Sequence, residues 1–580
     1  MTNSPYNRLS EQLIEDFQQI VGEEYSFTEY EIRWTYAFGG SIFNKEWIPD
    51  LILLPQNRQQ ISEILELANR NKIPITPRGS GTSLSAGHLS AYKGIILDFS
   101  QMNKIISISI EDNLVEVEPG VICDDLNNNL KSFGYFFPPD PASSSVCTIG
   151  GMVATNAGGI QAFKYGVTKD YILYLETVLA NGRVVRFGTE VLKSVSSYNL
   201  KDLIIGSEGS LGIITKIGLR IKPLPPKRKL GFYIFENIEN LNNAVIQLRK
   251  SGVVPILLEF LDKLTTKVVF EYLRGEFLNY PEGYVLIADI DGYNPNEIEE
   301  SFLKLHKIMI SNNPLISKVA ADEKEHEQLI IARKSALPAL ARLGPSCCLE
   351  DCTIKISDFS SIIKKIENIP QVLNIKNMKI ATFGHMEGNL HPTFLFNEND
   401  ESSVVNFRKA IDYLYKDIII PVGGTVTGEH GIGKIKTPYL EFEHGKDVIK
   451  LMEQIKQLFD PNRILNPGIG KGDIRPFNTI KISRNLINQP NKLLELNCIR
   501  CGFCSVACPS KIYYKTEAHS PRGRLSILNG LVYGDLTFEN KELLNEVFHS
   551  CTLCGTCLTN CPAGVPTYEI FEKAREILHN

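Results

Sequence analysis

The sequence predicts an α+β fold ending in a small cysteine-bearing domain. Three observations predict it: a cysteine run that occurs twice in the last 90 residues, an alternation of short apolar strands with amphipathic helices before it, and three glycine-rich loops in the first α+β module. Cys498, Cys501, Cys504 and Cys508 are followed by Pro509, and Cys551, Cys554, Cys557 and Cys561 by Pro562. Each is C-x2-C-x2-C-x3-C-P, the run that wraps a four-iron four-sulfur cluster, with the fourth cysteine reaching the other cluster. The expected sets are therefore Cys498, Cys501, Cys504 and Cys561 for one cluster, and Cys551, Cys554, Cys557 and Cys508 for the second. Structural zinc typically uses two separated C-x2-C pairs, and a disulfide framework does not suit a large chain without a signal peptide. Clusters of this kind carry single electrons, so the remainder should supply or use them.

The bulk properties are consistent with this. A chain of 580 residues has room for two to four domains with sizeable cores. Hydrophobic content of 43% and charged content of 22% are ordinary for a soluble globular protein. A formal net charge of -5 argues against a nucleic-acid partner. Met1 to Gly22 lacks the apolar core of a signal peptide and reads as an amphipathic helix with Leu9, Leu13, Phe17 and Ile20 on one side. No stretch reaches about 18 uncharged apolar residues, so no membrane span is expected. Thirteen cysteines, eight of them in the cluster runs, imply a reducing cytoplasm. Cys123, Cys147, Cys347, Cys348 and Cys352 read as small buried hydrophobes.

Five segments follow along the chain: an N-terminal helical segment (1–45), a first α+β module (46–226), a second (227–470), a linker (471–490) and the cysteine domain (491–580). In the first module, Leu51 to Leu54 is a short strand. Ile61, Ile64, Leu65 and Ala68 share a helical face, and a strand through Ile73 and Ile75 runs into Pro77-Arg78-Gly79-Ser80-Gly81-Thr82-Ser83. Leu114 to Glu118 alternates as a strand, Tyr171 to Val185 is β-rich, and Pro223-Leu224-Pro225-Pro226 punctuates the boundary. The second module alternates helix (Glu236 to Ser251), strand (Val285 to Asp291) and helix (Glu297 to Ser311), with a long helix from Lys324 to Leu337 that Pro338 ends or kinks. Val448, Leu451, Ile455, Leu458 and Phe459 make a further helical face, stopped by Asp460-Pro461-Asn462. Gly470 to Lys492 is polar and basic and reads as a solvated linker, or alternatively as a docking strip for an acidic partner.

The glycine loops carry the first cofactor expectation. They are Arg78-Gly79-Ser80-Gly81-Thr82-Ser83; Thr148-Ile149-Gly150-Gly151 continuing through Asn156-Ala157-Gly158-Gly159; and Gly206-Ser207-Glu208-Gly209-Ser210-Leu211-Gly212. Small residues allow φ > 0 and let the backbone approach a diphosphate. Three such loops in one module favour a dinucleotide site. It is not a Rossmann fingerprint, since Leu84 stands where the third glycine would fall, and no Gly-Lys-Ser/Thr marks a Walker loop.

From about Trp34 to Gly468 the chain resembles the FAD-linked oxidases of the vanillyl-alcohol oxidase type, in the glycolate oxidase/D-lactate dehydrogenase branch. The residues that carry the resemblance are Pro77 to Leu84, Pro138-Pro139-Asp140-Pro141 with Thr148 to Gly151, Ile205 to Gly212, and Leu465-Asn466-Pro467-Gly468. The resemblance implies a two-subdomain FAD-binding module and an α+β substrate (cap) domain. By it, Pro77, Arg78, Gly79, Ser80, Gly81, Thr82 and Ser83 cradle the pyrophosphate, and Thr148, Gly150, Gly151, Asn156, Gly158, Gly206, Glu208, Gly209 and Gly212 line the adenosine and flavin. Some relatives hold FAD covalently through a histidine in these loops; here Ser80, Thr82 and Ser83 stand there and no histidine precedes His88, so non-covalent FAD is expected.

Only ten histidines occur, and three fall in Phe383 to Pro392 and Thr425 to Gly433 beside acidic residues. Two imidazoles and a carboxylate suit a divalent metal such as Zn2+, acting as a Lewis acid toward a hydroxyl and a carboxylate; the plain alternative is satisfied core histidines. The resemblance implies His385, His391 and Glu429 as ligands and His430 as the base, a role an imidazole suits because it titrates near neutrality. The family segment carries six residues between its histidines, whereas five separate His385 and His391. Arg333 falls where the family's carboxylate-binding arginine lies, and a guanidinium holds a carboxylate bidentately. Glu350-Asp351 resembles a family acidic pair without an assigned role.

The implied reaction is oxidation of a D-2-hydroxy acid, hydride passing to flavin and electrons leaving singly through two clusters. The cysteine domain resembles the helical ferredoxin-type domain of glycolate oxidase iron–sulfur subunits, through Ser520 to Leu525 and Cys561 to Pro566. Those subunits continue into cysteine-rich domains and this chain stops at Asn580, so a separate redox partner is expected: a cysteine-rich iron–sulfur subunit, an electron-transfer flavoprotein or a quinone-linked subunit. That places the protein in the cytoplasm or, through its partner, at the inner membrane. The competing expectation is a relay subunit without hydroxyacid activity of its own.

Overall fold

Strands Leu51–Leu53, Ile95–Asp98 and Ile75–Arg78 lie parallel, with Ser26–Phe27 antiparallel at one edge. This is the first sheet of a computed structural model that describes residues 4–40, 42–43, 47–344, 346–397, 400–470, 481–482, 498–532 and 534–579. Continuous apolar strands suit a sheet buried on both faces. Helix Arg58–Asn71 covers this one with Ile61, Ile64, Leu65 and Ala68; it is capped by the Asn57 side chain and closed by Lys72 at φ 52°. Helix Glu11–Val21 packs on the same core. Ser10 is its N-cap, so Leu9 stands before the helix, apposed in sequence to Ile14 as a hydrophobic staple. The loop 78–83 leaves the carboxyl end of a parallel strand, where open α/β sheets place ligands.

A second sheet is antiparallel, in the order Val184–Gly188, Ile172–Val178, Ile213–Arg220, Leu114–Val117, Ile105–Ser109. Its apolar face packs on helices Cys123–Lys131 and Ile149–Thr155. The second and third glycine loops hang from this layer.

The third sheet builds the catalytic face. Its order is Ile316–Val319, Lys227–Phe235, Tyr284–Gly292, Leu257–Leu261, Lys379–His385, Asn389–Phe396, Ser346–Leu349, with Cys352–Thr353 also pairing Asn389–Phe396. Side chains alternate between the faces. Leu258, Phe260, Leu286, Leu390 and Phe394 enter one core, and Leu257, Leu261, Val285, Ile287, Phe383 and Leu395 the other. The latter face is roofed by Leu329, Ala332, Ala336 and Ala339.

Two helices depart from expectation. The stretch expected as one helix from Lys324 to Leu337 is two, Glu323–Lys334 and Ala336–Leu340, broken at Ser335. Pro338 lies inside the second piece; it has no N–H for Lys334, and its ring crowds that carbonyl four residues back, so the break falls before the proline. The span Leu440–Phe459 is two helical pieces broken at Gly445 (φ 77°); the second carries the expected apolar face, but only Ile455 and Phe459 of that face join a core. Val448, Leu451 and Leu458 are 42%, 59% and 77% exposed.

The C-terminal region is helical: Pro509–Tyr514, Pro521–Val532, Lys541–His549 and Thr567–His579. Arg524 is fully buried at its centre and donates to the carbonyls of Val547 and His519 and to the hydroxyls of Ser510 and Ser550. Trp34 locks the region onto the rest of the chain, its Nε1 donating to the Ser526 carbonyl at 2.9 Å. The expected linker and its basic strip lie outside the described residues except for 481–482, which pair with 42–43. Among the described residues no helix is long and apolar enough to cross a membrane.

Candidate active site and cofactor cavity

One cavity of about 800 Å³ connects the glycine loops, the histidine segments and part of the first cysteine run. Pro77 to Ser83, Thr148, Gly150, Gly151, Gly158, Glu208, Gly209 and Gly212 all line it. Asn156 and Gly206 do not. Asn156 takes φ 52° to close helix Ile149–Thr155, its side chain accepts from the Lys169 N–H, and Gly206 backs onto it.

The loops fit a dinucleotide for physical reasons. A Cβ on Gly79 would lie 2.3 Å from Thr148 Oγ1, so only glycine lets the first two loops close on each other. Gly81, at φ 63°, leaves room for the Arg78 guanidinium. That guanidinium lies 5.0 Å over the Tyr36 ring, and its buried Nη1 has no protein partner. Glu208 is buried; its Oε1 accepts from Gly433 N at 2.8 Å while Oε2 has no partner, and burial raises its carboxyl to about 7. Buried polar groups normally find partners, so unpaired atoms on a cavity wall suit a polar ligand.

The histidine end is built by sheet register. His385 and Glu259 are direct cross-strand partners, and His391 is opposite Phe383. All four residues therefore share one face of the sheet. A tight turn at 386–388 joins the two strands, so His391 lies diagonal to His385 on that face. This register is why a five-residue separation still brings the two imidazoles together. Their rings are 5.4 Å apart, edge to face. Glu429 meets both, with Oε1 lying 3.4 Å from His385 Nε2, 3.0 Å from His391 Nε2 and 3.5 Å from His430 Nε2. Three ring nitrogens thus converge on one carboxylate oxygen, a donor set that fits a divalent cation.

The outer ring nitrogens face carboxylates. His385 Nδ1 lies 2.5 Å from Glu259 Oε1. His391 Nδ1, which has no hydrogen-bond partner, is 3.9 Å from Asp351 Oδ1, and His430 Nδ1 is 4.0 Å from Asp351 Oδ2. Of the three, only the His385–Glu259 contact is at hydrogen-bonding distance, the kind of contact that orients a metal-binding imidazole. Asp351, His391, Glu429 and His430 together offer ligand atoms within 4.8 Å of one another. Asp351 Oδ2, however, is already used by the N–H groups of Gly428, Glu429 and His430 and by the Thr427 hydroxyl. Asp351 thus shapes the loop through Oδ2, while its buried Oδ1 has no hydrogen-bond partner and faces His391 Nδ1. Lys436 Nζ donates to the Asp351 carbonyl at 3.0 Å and lies 3.6 Å from Glu350, which also accepts from the Tyr415 hydroxyl.

Electrostatics differ across the cluster. Burial pushes His391 down to about 4. Burial also opposes charge on His430, but Asp351 and Glu429 raise it above its ordinary value. Burial opposes ionisation of Glu429, yet the surrounding histidines, His385 first, hold it well below the usual carboxylate range. All three imidazoles line the cavity, and the His430 side chain is the most open of them, 21% exposed against 4% for His385. Ser85 Oγ donates to the His430 carbonyl at 2.8 Å, sewing this loop to the first glycine loop.

Arg333 lines the same cavity, 4.7 Å over the Phe383 ring, and its Nε donates to Glu259. Glu259 therefore links Arg333 to His385. It was not found by sequence reading. The available signal is a lone acid among Leu257, Leu258, Phe260 and Leu261, at a position where a buried strand would normally be apolar.

The cysteines separate into two groups. Cys498, Cys501 and Cys561 line the large cavity, and Cys504 neighbours Cys498 and Cys501. Cys508, Cys551, Cys554 and Cys557 line a second, smaller pocket with Arg524 and Phe571. Each run thus lends its last cysteine to the other group, and Cys554 is exposed.

Residues 49–188 match the family "FAD binding domain", residues 224–469 "FAD linked oxidases, C-terminal domain", and residues 496–565 "4Fe-4S dicluster domain". The chain is 38% identical over 423 residues to the glycolate oxidase subunit GlcD of Bacillus subtilis (strain 168), covering 73% of this chain and 88% of that protein. It is 32% identical over 491 residues to the D-lactate dehydrogenase of Anaerostipes hadrus, covering 81% of this chain and 99% of that protein. Among solved structures, p-cresol methylhydroxylase with substrate bound superposes with a TM-score of 0.65 at 17% identity, over 79% of this chain and 96% of that chain. Alkyldihydroxyacetonephosphate synthase superposes with a TM-score of 0.62 at 19% identity, over 80% and 85%. These likenesses establish the fold as that of vanillyl-alcohol-oxidase-type flavoenzymes.

Proposed function

We propose that this chain, which by these matches belongs to the FAD-linked oxidase family, is a dehydrogenase that oxidises a D-2-hydroxy acid of the lactate or glycolate class. Its C-terminal domain would hold two 4Fe–4S clusters, which would supply single-electron transfer toward a partner. The observation that carries the reading is the convergence of His385, His391 and His430 on Glu429, beside Arg333, in the cavity that the glycine loops and Cys498, Cys501 and Cys561 also line.

FAD would be held non-covalently by the loops and would supply a two-electron hydride acceptor that can release electrons singly. His385, His391 and Glu429 would hold a divalent metal such as Zn2+, which would supply a Lewis acid beside the substrate hydroxyl and carboxylate. Arg333 holds the substrate carboxylate, with Glu259 fixing the guanidinium through Nε and leaving its two Nη groups for the ligand. His430 removes the hydroxyl proton; it opens to the cavity, and Asp351 faces its Nδ1 to steady the imidazolium that forms. Cys498, Cys501, Cys504 and Cys561 would hold the cluster nearer the flavin, and Cys551, Cys554, Cys557 and Cys508 the outer one. The exposed Cys554 rim is then the side that meets the acceptor: a cysteine-rich subunit, an electron-transfer flavoprotein or a quinone-linked subunit at the membrane.

The test is anaerobic mixing of the FAD- and cluster-loaded protein with a panel of D- and L-2-hydroxy acids, following bleaching of the flavin. Rapid bleaching by one D-acid, followed by cluster reduction, is expected. Failure of every acid to bleach flavin that dithionite does reduce would leave the relay role in its place.

A further inference from the structure

Arg522 lies where the two cofactor sites meet and takes no part in the chemistry described above. Its side chain is buried, and each arm of the guanidinium has a partner. Nε donates to Glu517 Oε1 at 2.7 Å, and Nη2 to Glu517 Oε2 at 2.9 Å and to the Ser80 carbonyl at 2.9 Å. Nη1 donates to the carbonyls of Gly81 and Arg500, both at 3.4 Å. The five N–H groups of a guanidinium are thereby shared among three segments: the glycine loop expected to cradle the pyrophosphate, the Cys498–Cys504 loop, and the Glu517 turn. Gly502, at φ 88°, brings the cysteine loop against the same group; a Cβ there would sit 2.9 Å from Nη1.

We propose that Arg522 is a positioning residue that fastens the flavin loop to the loop of the nearer cluster, and that its charge favours the reduced form of that cluster. A lysine cannot replace the fork, because its three donors radiate from one atom and cannot reach three segments at once. The charge argument follows from geometry. Glu517 takes Nε and Nη2, which leaves Nη1 directed at the Cys498–Cys504 loop, where it donates to the Arg500 carbonyl and stands against Gly502. Cluster potentials respond to local charge and hydrogen bonding, and a fixed cation in a buried setting stabilises the added electron. The same fastening makes the two sites thermodynamically reciprocal: a filled cluster site holds the 78–83 loop in its FAD-binding form, and FAD holds the cluster loop.

The inference rests on the cofactor assignment proposed above. Flavin and iron content of the wild-type protein test that assignment alone, whereas differences between variant and wild type test Arg522. The full-length, FAD- and cluster-loaded protein would be compared with Arg522→Lys and with the double variant Glu517→Gln/Arg522→Gln, which removes both members of the Arg522–Glu517 pair together. FAD dissociation would be measured by fluorescence, and both cluster potentials by EPR-monitored redox titration. Arg522→Lys is expected to weaken FAD binding about tenfold with both cluster potentials unchanged. The double variant is expected to weaken FAD similarly and to lower the reduced-to-oxidised ratio of the nearer cluster about tenfold at fixed potential, equivalent to 59 mV for one electron. The outer cluster, centred on Cys551, Cys554 and Cys557, should keep its potential in both. Wild-type FAD affinity and wild-type potentials in both variants would overturn the proposal. So would loss of both clusters together in both variants, which assigns Arg522 a general structural role. In the otherwise wild-type chain, Cys504→Ser should weaken FAD binding without altering Arg522; unchanged FAD affinity there would overturn the coupling.

Discussion

The histidine end and the cysteine end of the cavity are assembled in opposite ways. The histidine end draws Glu259, Arg333, Asp351, His385, His391, Glu429 and His430 from separate segments of the second module, and sheet register aligns three of them. The cysteine end draws its side chains from two short runs whose ligands are close in sequence, exchanging only Cys508 and Cys561. Charge is handled differently too. Carboxylates face the buried imidazoles at one end, while arginines, Arg522 and Arg524, buttress the other. An oxidised substrate leaves a proton, which needs bases; an anionic cluster gaining an electron needs cations and N–H groups. Each end carries the polarity its task requires.

This contrast can be broken by substitution. The largest expected effect is at His430. His430→Ala should slow flavin reduction by the hydroxy acid on the order of 10³-fold while flavin and iron contents stay at wild-type levels; retention of fast bleaching in stopped flow would remove His430 from the chemistry. Next is Glu259→Gln, which cuts the charged link between Arg333 and His385. A lost partner to a metal-ligating imidazole typically costs about 10–100-fold in metal affinity or activity, so metal content by elemental analysis and the rate of flavin bleaching should fall together. Wild-type metal content in this variant would show that the imidazole is held without Glu259.

Cys504→Ser should do the reverse of His430→Ala. Iron falls to about half, the EPR signal of one cluster disappears, and, with FAD kept saturating, flavin bleaching by substrate persists within about threefold, since the reacting groups lie at the other end. Equal loss of both cluster signals would mean that the two cysteine groups do not hold separate clusters.

The smallest effect concerns the seam between the ends. Burial raises Glu208 from 4.5 to about 7. A raised folded-state value means stability that is full below pH 4.5 and is lost as pH rises toward 7, amounting to about 3 kcal/mol above that range. Glu208→Gln has no such dependence, so its melting temperature should gain on wild type as pH is raised from 5 to 8; a constant gap would place the Glu208 carboxyl in its ordinary range.

Much of the architecture was legible in residue order because the signals are local. The cysteine spacing, the three glycine loops and the stop at Asp460-Pro461-Asn462 act within a few residues of backbone, where turn geometry and steric limits hold without tertiary help. Leu51 and its neighbours, and the Ile61–Ala68 face, read correctly for the same reason: their periodicity is their burial. The break at Ser335 was misplaced because a proline acts on the carbonyl four residues earlier. What only the tertiary structure decided is what meets what across sheets and domains. Glu259 opposite His385, Asp351 under the Thr427–His430 loop, Glu208 on Gly433 and Arg522 on Ser80 are separated by between 76 and 442 positions in the chain. Such pairs are fixed by strand register and by the burial of polar groups that must find partners, and neither leaves a mark in the local sequence beyond an acid or an arginine in an apolar setting.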